Sequence, residues 1–146
     1  ENSITPEEEL ALFQKDRKEN VRLNLKPAMK NKKVILLDRY YFSTMAYQGA
    51  KGIDPEYILS SNQKFAVEPD LVFIFDIDAQ KGLNRIRNRK NLDLLFERED
   101  YLIRVGKIFN MIRGKNIRHI DAQLPQEEIT DLIENVILDY IEPYIA

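Results

Sequence analysis

Cysteine is missing from all 146 residues, and histidine occurs once, at His119. Without thiols the chain can form neither a disulfide nor a thiolate zinc site, and one imidazole cannot build a histidine-rich metal centre. Long apolar runs are missing too: none approaches the ~20 residues needed to cross a bilayer. The acidic opening, with Glu1 and then Glu7-Glu8-Glu9, has nothing of a signal peptide. A soluble cytoplasmic protein with no membrane partner is therefore expected. Nor is there an excess of one charge. Lysine and arginine total 22 against 24 acidic residues, a net charge of −2, which argues against a general nucleic-acid surface. Any basic site has to be local.

What remains is an ordinary globular composition, 44% apolar and 32% charged. The length suits one domain, residues 1–146, with a single three-layer core. Thr5-Pro6-Glu7-Glu8 has the form of a capping box with proline at the first helical position. It predicts a helix to about Asn31, kinked or tightened near Pro27. Val34-Ile35-Leu36-Leu37 is an unbroken apolar stretch suited to a strand covered on both faces, running to Asp38. A short helix is expected at Ser43–Gln48 and another from Pro55 to Val67. A strand follows at Leu71–Phe75, then helices at Ala79–Arg89 and Phe96–Arg113. Asn116–Ile120 is a third strand, and a last helix reaches from Pro125 to Tyr140. Alternation of strand and helix predicts an α/β fold with a parallel sheet and right-handed crossovers. Three strands are few for such a sheet.

The C-terminal end of the first strand carries the most specific run, Asp38-Arg39-Tyr40 followed by Ser43-Thr44-Met45-Ala46-Tyr47-Gln48-Gly49. Ligands of open α/β sheets bind at that end. A guanidinium offers a fork of donors to phosphate oxygens, and an acidic neighbour can orient it or help hold a hydrated metal. Asp-Arg alone is more often a solvated salt-bridge pair; the whole run is not common. It closely resembles the DR(Y/H/F)…S(T/N)xAYQG segment of thymidylate kinases, P-loop enzymes that phosphorylate dTMP. The resemblance covers nearly all of this chain and about the C-terminal three quarters of a family member. The family's opening strand, Gly-rich P-loop and helix have no counterpart here: Gly49 and Gly52 lack the GxxxxGK(S/T) spacing. The fold class implied is a P-loop nucleoside-monophosphate-kinase-like three-layer α/β fold lacking its first βαβ portion.

From the residues alone, Leu10, Phe13, Arg17 and Val21 share one face of the first helix. There Phe13 reads as core and Arg17 as a side chain reaching for solvent. The resemblance reverses this, because Phe13 to Arg17 matches the family's F-x-x-x-R signature. It implies that Phe13 stacks on thymine and Arg17 donates to a thymine carbonyl. It further implies that Arg39 binds the dTMP phosphate and Asp38 supports the phosphoryl-transfer centre. Thr44 would meet the polar edge of thymine, Ser43 and Gln48 would line the nucleoside site, and Tyr47 would pack near C2′ of the sugar. Taken singly, Tyr47 could be core and Ser43 or Thr44 a helix cap. Tyr40, Tyr41 and Phe42 read as packing residues.

Arg85, Arg87 and Arg89 stand on a helical charge run, ordinarily a solvated face. The resemblance makes residues 85–97 the lid, one of whose arginines meets the transferring phosphate. Leu95-Phe96-Glu97 stands where many relatives have Arg-(Phe/Ile)-Glu, so the role falls to Arg85, Arg87 or Arg89. Asp121 and Ala122 match the loop beside the ATP adenine, although Asp121 also suits a turn. His119 reads as structural. Asp76 and Asp78 read as strand end and helix cap rather than a metal pair. The reading expected is dTMP phosphorylation by ATP with Mg²⁺, in a homodimer. Two alternatives stand beside it: a related nucleoside-monophosphate kinase and a noncatalytic nucleotide-binding dimer module. Without a donor-phosphate cradle, these 146 residues alone are expected to be a poor catalyst or none.

Overall fold

The computed structural model describes residues 4–82 and 95–145, with backbone only for 95–98 and 144–145. Helix α1, Pro6–Asn20, opens on the expected capping box. Thr5 Oγ1 accepts from Glu8 N–H at 3.2 Å, and Glu8 Oε2 accepts from Thr5 N–H at 2.9 Å. Helical structure then continues without a break to Lys30, but through a π-helical turn at Val21–Leu25 before α2, Lys26–Lys30. Pro27 therefore neither tightens nor ends the helix. A proline ring needs room against the preceding turn and leaves one carbonyl without a donor; widening the turn just before Pro27 provides that room.

The expected strand at 34–38 does not form. Residues 33–37 carry no regular structure, and Val34 and Leu36 are 90% and 88% exposed. A strand exists only where a neighbour completes its ladder, and among the described residues none lies beside this run. The backbone turns at Arg39, whose φ is +64°, and enters α3, Tyr41–Gly49, longer than the Ser43–Gln48 helix expected. Helix α4, Pro55–Gln63, starts on Asp54, whose side chain accepts from Glu56 N–H at 3.1 Å. It stops before Val67 because Phe65 and Ala66 N–H both turn back to Asn62 O.

The sheet has two parallel strands among the described residues, β1 (Val72–Asp76) and β2 (Ile117–Asp121), in register from Val72 opposite Ile117 to Asp76 opposite Asp121. Residues 79–82 are helical, and the rest of the helix expected there lies outside the described residues. Helix α5, Leu95–Phe109, crosses between the strands, and α6, Gln126–Ile145, closes the chain with Pro143 inside it. Leu10, Met45, Ile58, Ile74 and Ile112 meet in one core, and Ala46, Ala50 and Val105 form a second contact between α3 and α5. Helix α3 is thus held against α1, α4 and α5. It is the element on which the polar residues converge. Among the described residues no helix is long and apolar enough to cross a membrane.

Candidate functional site

A cleft of about 370 Å³ opens between α1, the 37–40 turn, α3 and α5. Phe13 and Arg17 line it from α1, Asp38 and Arg39 from the turn, and Ser43, Thr44, Tyr47 and Gln48 from α3. Residues separated by tens of positions are brought together because α1 lies along α3 and presents the Phe13–Arg17 face toward it.

Arg17 is half-buried and directed from two sides. Its Nη1 donates to Asn62 Oδ1 at 2.6 Å and its Nη2 to Thr44 Oγ1 at 2.8 Å, while its guanidinium lies 5.4 Å from the centre of the Tyr40 ring. Asn62 is fully buried, and its Nδ2 donates to Ile58 O at 2.8 Å, which fixes the amide's orientation. These partners are neutral, and among the described residues Arg17 has no ion pair. Burial pushes its pKa down. Such a cation keeps its charge and spare donors for a ligand atom. Thr44 is accordingly no helix cap, and Tyr40 is more than packing.

At the mouth, Asp38 and Arg39 are exposed. Arg39 lies 5.1 Å above the Tyr47 ring and reaches the Tyr47 hydroxyl at 3.4 Å, long for a hydrogen bond. The left-handed backbone at Arg39 costs a non-glycine residue about 1–2 kcal/mol, a strain that recurs at functional sites. Tyr47 also meets Tyr101 at 6.2 Å and Phe109 at 6.3 Å, both in edge-to-face geometry.

Around Gln48 stand residues the sequence did not nominate. Gln48 is buried and donates through Nε2 to Glu9 Oε2 at 3.0 Å, and Lys51 Nζ pairs with the same oxygen. The Lys51 hydrogen bond, chiefly, holds the Glu9 carboxyl below its ordinary range. Gln48 thus braces α1 against α3 as well as lining the cleft. Glu9, Asn62 and Tyr101 escaped notice because each stands among similar residues; only the pairing of α1, α4 and α5 with α3 singles them out.

Of the remaining nominated positions, some stand apart from the cleft and the others cannot be placed against it. Arg85, Arg87 and Arg89 fall outside the described residues. Asp121 and Ala122 stand at the carboxyl end of β2, away from the cleft lining. Asp121 Oδ1 accepts from Gln123 N–H at 2.8 Å, and Ala122 N–H donates to Asp76 O at 2.9 Å. His119, read as structural, is engaged at both ring nitrogens: its Nδ1 is 2.8 Å from Asp76 Oδ2, and its Nε2 lies 2.9 Å from Ile112 O and 3.0 Å from Arg113 Nη1. Asp78 caps the following turn, accepting from Gln80 and Lys81 N–H. Among the described residues no three acidic, histidine or cysteine side chains gather as a metal cage.

Sequence comparison places these residues in context. The family model described as thymidylate kinase matches residues 1–133. A thymidylate kinase of Brachyspira hyodysenteriae is 47% identical over 134 residues, covering 92% of this chain and 66% of that protein. A probable thymidylate kinase of Archaeoglobus fulgidus is 40% identical over 141 residues, covering 97% and 71%. A thymidylate kinase of Akkermansia muciniphila is 44% identical over 126 residues, covering 86% and 61%. The chain thus spans about two thirds of the length of such relatives. Over that span the agreement in sequence and the cleft built by the nominated residues lead to one conclusion: the chain belongs to the thymidylate kinase family.

Proposed function

We propose that the whole protein transfers the γ-phosphoryl group of ATP to the phosphate of dTMP, giving dTDP and ADP on the way to dTTP, and that this chain supplies the acceptor site. The observation that carries the reading is the convergence of Phe13, Arg17, Asp38, Arg39, Thr44 and Tyr47 on one cleft. Phe13 forms the plate for the base. Arg17, held by neutral acceptors, donates to a ring carbonyl, and Thr44, already accepting from Arg17, completes the polar edge. Arg39 at the mouth takes the phosphate, with Asp38 beside it, and Tyr47 faces the sugar. Ser43 and Gln48 line the remaining nucleoside wall.

In-line phosphoryl transfer asks the protein mainly for positioning and charge stabilisation. Arg39 meets both needs at the acceptor phosphate, since a guanidinium fork matches phosphate oxygens. Arg85, Arg87 or Arg89 supplies the lid cation, and Asp121 with Ala122 lies by the adenine. Mg²⁺ arrives with ATP as part of that substrate, held chiefly by phosphate oxygens. The donor-phosphate cradle is assigned to the part of the whole protein that these residues do not span. One domain assembled as a homodimer completes the reading.

The test measures ADP release by the whole protein with dTMP, dCMP or dGMP as acceptor. ADP formation dependent on dTMP, and lost in Arg39→Ala, is the expected result. Preference for dCMP or dGMP moves the protein to another nucleoside-monophosphate kinase specificity. Tight dTMP binding without turnover leaves a noncatalytic nucleotide-binding module.

A further inference from the structure

Tyr101 lines the cleft from α5, yet nothing in the proposed chemistry uses it. Its place follows from how α3 ends. A helix leaves its last carbonyls without intrahelical donors, and here each has a traceable partner. Ile53 N–H reaches back to Gln48 O at 3.3 Å and Gly52 N–H to Gly49 O at 3.0 Å. With Gly52 at φ +106°, these two bonds make a Schellman ending. Lys51 N–H, which a continuing helix would direct to Tyr47 O, goes to Gln48 O instead at 3.1 Å. Two carbonyls remain, and α5 takes both. Arg104 Nε donates to Ala50 O at 3.2 Å, and the Tyr101 hydroxyl donates to Tyr47 O at 3.0 Å.

The residue whose carbonyl Tyr101 holds is the one that directs Arg39. Arg39 has no ion pair among the described residues; its contacts there are the Tyr47 ring face at 5.1 Å and the Tyr47 hydroxyl at 3.4 Å. Tyr101 also packs its ring edge-on against Tyr47, at an interplanar angle of 66°, which sets the tilt of the face offered to the guanidinium. Burial raises the pKa of the Tyr101 hydroxyl, so it remains a donor through neutral pH.

We infer that Tyr101 is a positioning residue: its hydroxyl fixes the carboxyl end of α3 and, through Tyr47, aims Arg39 at the mouth of the cleft. The functional consequence rests on the reading of Arg39 as the phosphate-binding group. The contacts of Tyr101 and of Arg39 meet at Tyr47, so the effect falls chiefly on the phosphate end. Removing the hydroxyl should leave base recognition by Arg17 and Thr44 as it was.

The experiment compares the full chain with Tyr101→Phe, which keeps the ring and its packing and removes only the donor. Titration calorimetry with dTMP and with thymidine separates the two ends of the ligand. Loss of one ordinary hydrogen bond predicts dTMP binding weaker by about 2- to 10-fold, with thymidine, which meets Tyr47 through its sugar but carries no phosphate for Arg39, weakened less. Equal weakening of both ligands, or none of either, overturns the inference. The side-chain Nε–H resonance of Arg39, assigned by NMR in the free chain, reads the same geometry without any ligand. It should be displaced by the Tyr47 ring current and should move toward its free-arginine position in Tyr101→Phe; no movement overturns the positioning. If the original chain binds neither ligand while that resonance does move, the nucleotide reading falls and the positioning of Arg39 stands.

Discussion

A half-buried arginine held by neutral partners makes a chemical choice at the scale of one residue. Had Asn62 been an aspartate, Arg17 would face a carboxylate, and a ligand carbonyl would compete with a full charge. The amide supplies direction without neutralisation. Asn62→Leu keeps the branching and the number of side-chain heavy atoms and removes the bond at 2.6 Å to Arg17, along with the amide's own bond to Ile58 O. A hydrogen bond to a charged group contributes about 1.5–3 kcal/mol. Urea denaturation should show the variant less stable by that amount, with thymidine binding weakened as well. A loss below about 0.5 kcal/mol, within the range of an ordinary surface substitution, would mean that Arg17 simply rehydrates. Tyr41 gives a different signature. It is 2% exposed, and burial, chiefly, pushes its hydroxyl up to about 12. Below pH 10 it is protonated in both folded and unfolded chains and adds no pH dependence. Between pH 10 and 12 the unfolded chain releases the proton while the folded one keeps it, so stability falls through that window. Thermal melts should decline there, and Tyr41→Phe should flatten the decline; an unchanged slope would place the ionisation elsewhere.

At the scale of elements, the carboxyl half of α3 is closely packed against α4 and α5. A Cβ at Gly49 would stand 2.9 Å from Ile108 Cδ1 and 3.0 Å from Pro55 Cγ, whereas one at Gly52 meets nothing within 4 Å but sits on a backbone of φ +106°. The two glycines are thus required for different reasons, closeness and handedness. Gly49→Ala gains helix propensity of about 1 kcal/mol, but its methyl meets Ile108 Cδ1, which can swing away, and the stiffer Pro55 ring, against which this turn of α3 has to give by a few tenths of an ångström, at about 1–3 kcal/mol. The net expectation is a lower melting temperature, and dTMP affinity should fall with it because Tyr47 and Gln48 sit on the displaced turn. Gly52→Ala should lower stability by about 1 kcal/mol and leave affinity nearly intact. Equal effects on affinity would show that the close contact does not position the site. Much of this element-level structure was legible in the chain. Thr5 to Glu8 announces its capping box, Asp54-Pro55 its helix start, and Leu71–Phe75 its strand to within one residue. The residues of the cleft were legible as well, because the Asp38–Gly49 run carries a family pattern. What could not be read was pairing. Asn62, Glu9 and Tyr101 acquire meaning only from the helix lying opposite, and the π turn before Pro27 arises from relief of a steric conflict that periodicity does not encode.

On the scale of the whole molecule, the clearest departure from the sequence reading lies at Val34 to Leu37. Four consecutive apolar residues predict a buried strand by composition, and composition cannot say whether a neighbour is present to bury it. Here Val34 and Leu36 are 90% and 88% exposed and Leu37 is 41% exposed, all on extended chain directly before the Asp38–Arg39 turn. Unpaired backbone beside exposed apolar side chains is a template for a neighbouring strand, supplied by the part of the whole protein that these residues do not span or, in this chain by itself, by a second copy. Ordinary monomers scatter such residues singly rather than in a run. Val34→Thr with Leu36→Lys should therefore reduce self-association of this chain, read by sedimentation velocity across a concentration series. Its melting temperature should change little, since side chains this exposed contribute little burial. Arg17, Thr44 and Asn62 are joined by contacts that do not involve the run, so thymidine affinity should be preserved. A large fall in melting temperature in the monomer would instead show that the run is packed within the folded chain. An unchanged association constant would assign the association to another apolar surface, of which Leu132 and Leu138 on α6, 46% and 56% exposed, are the first to replace.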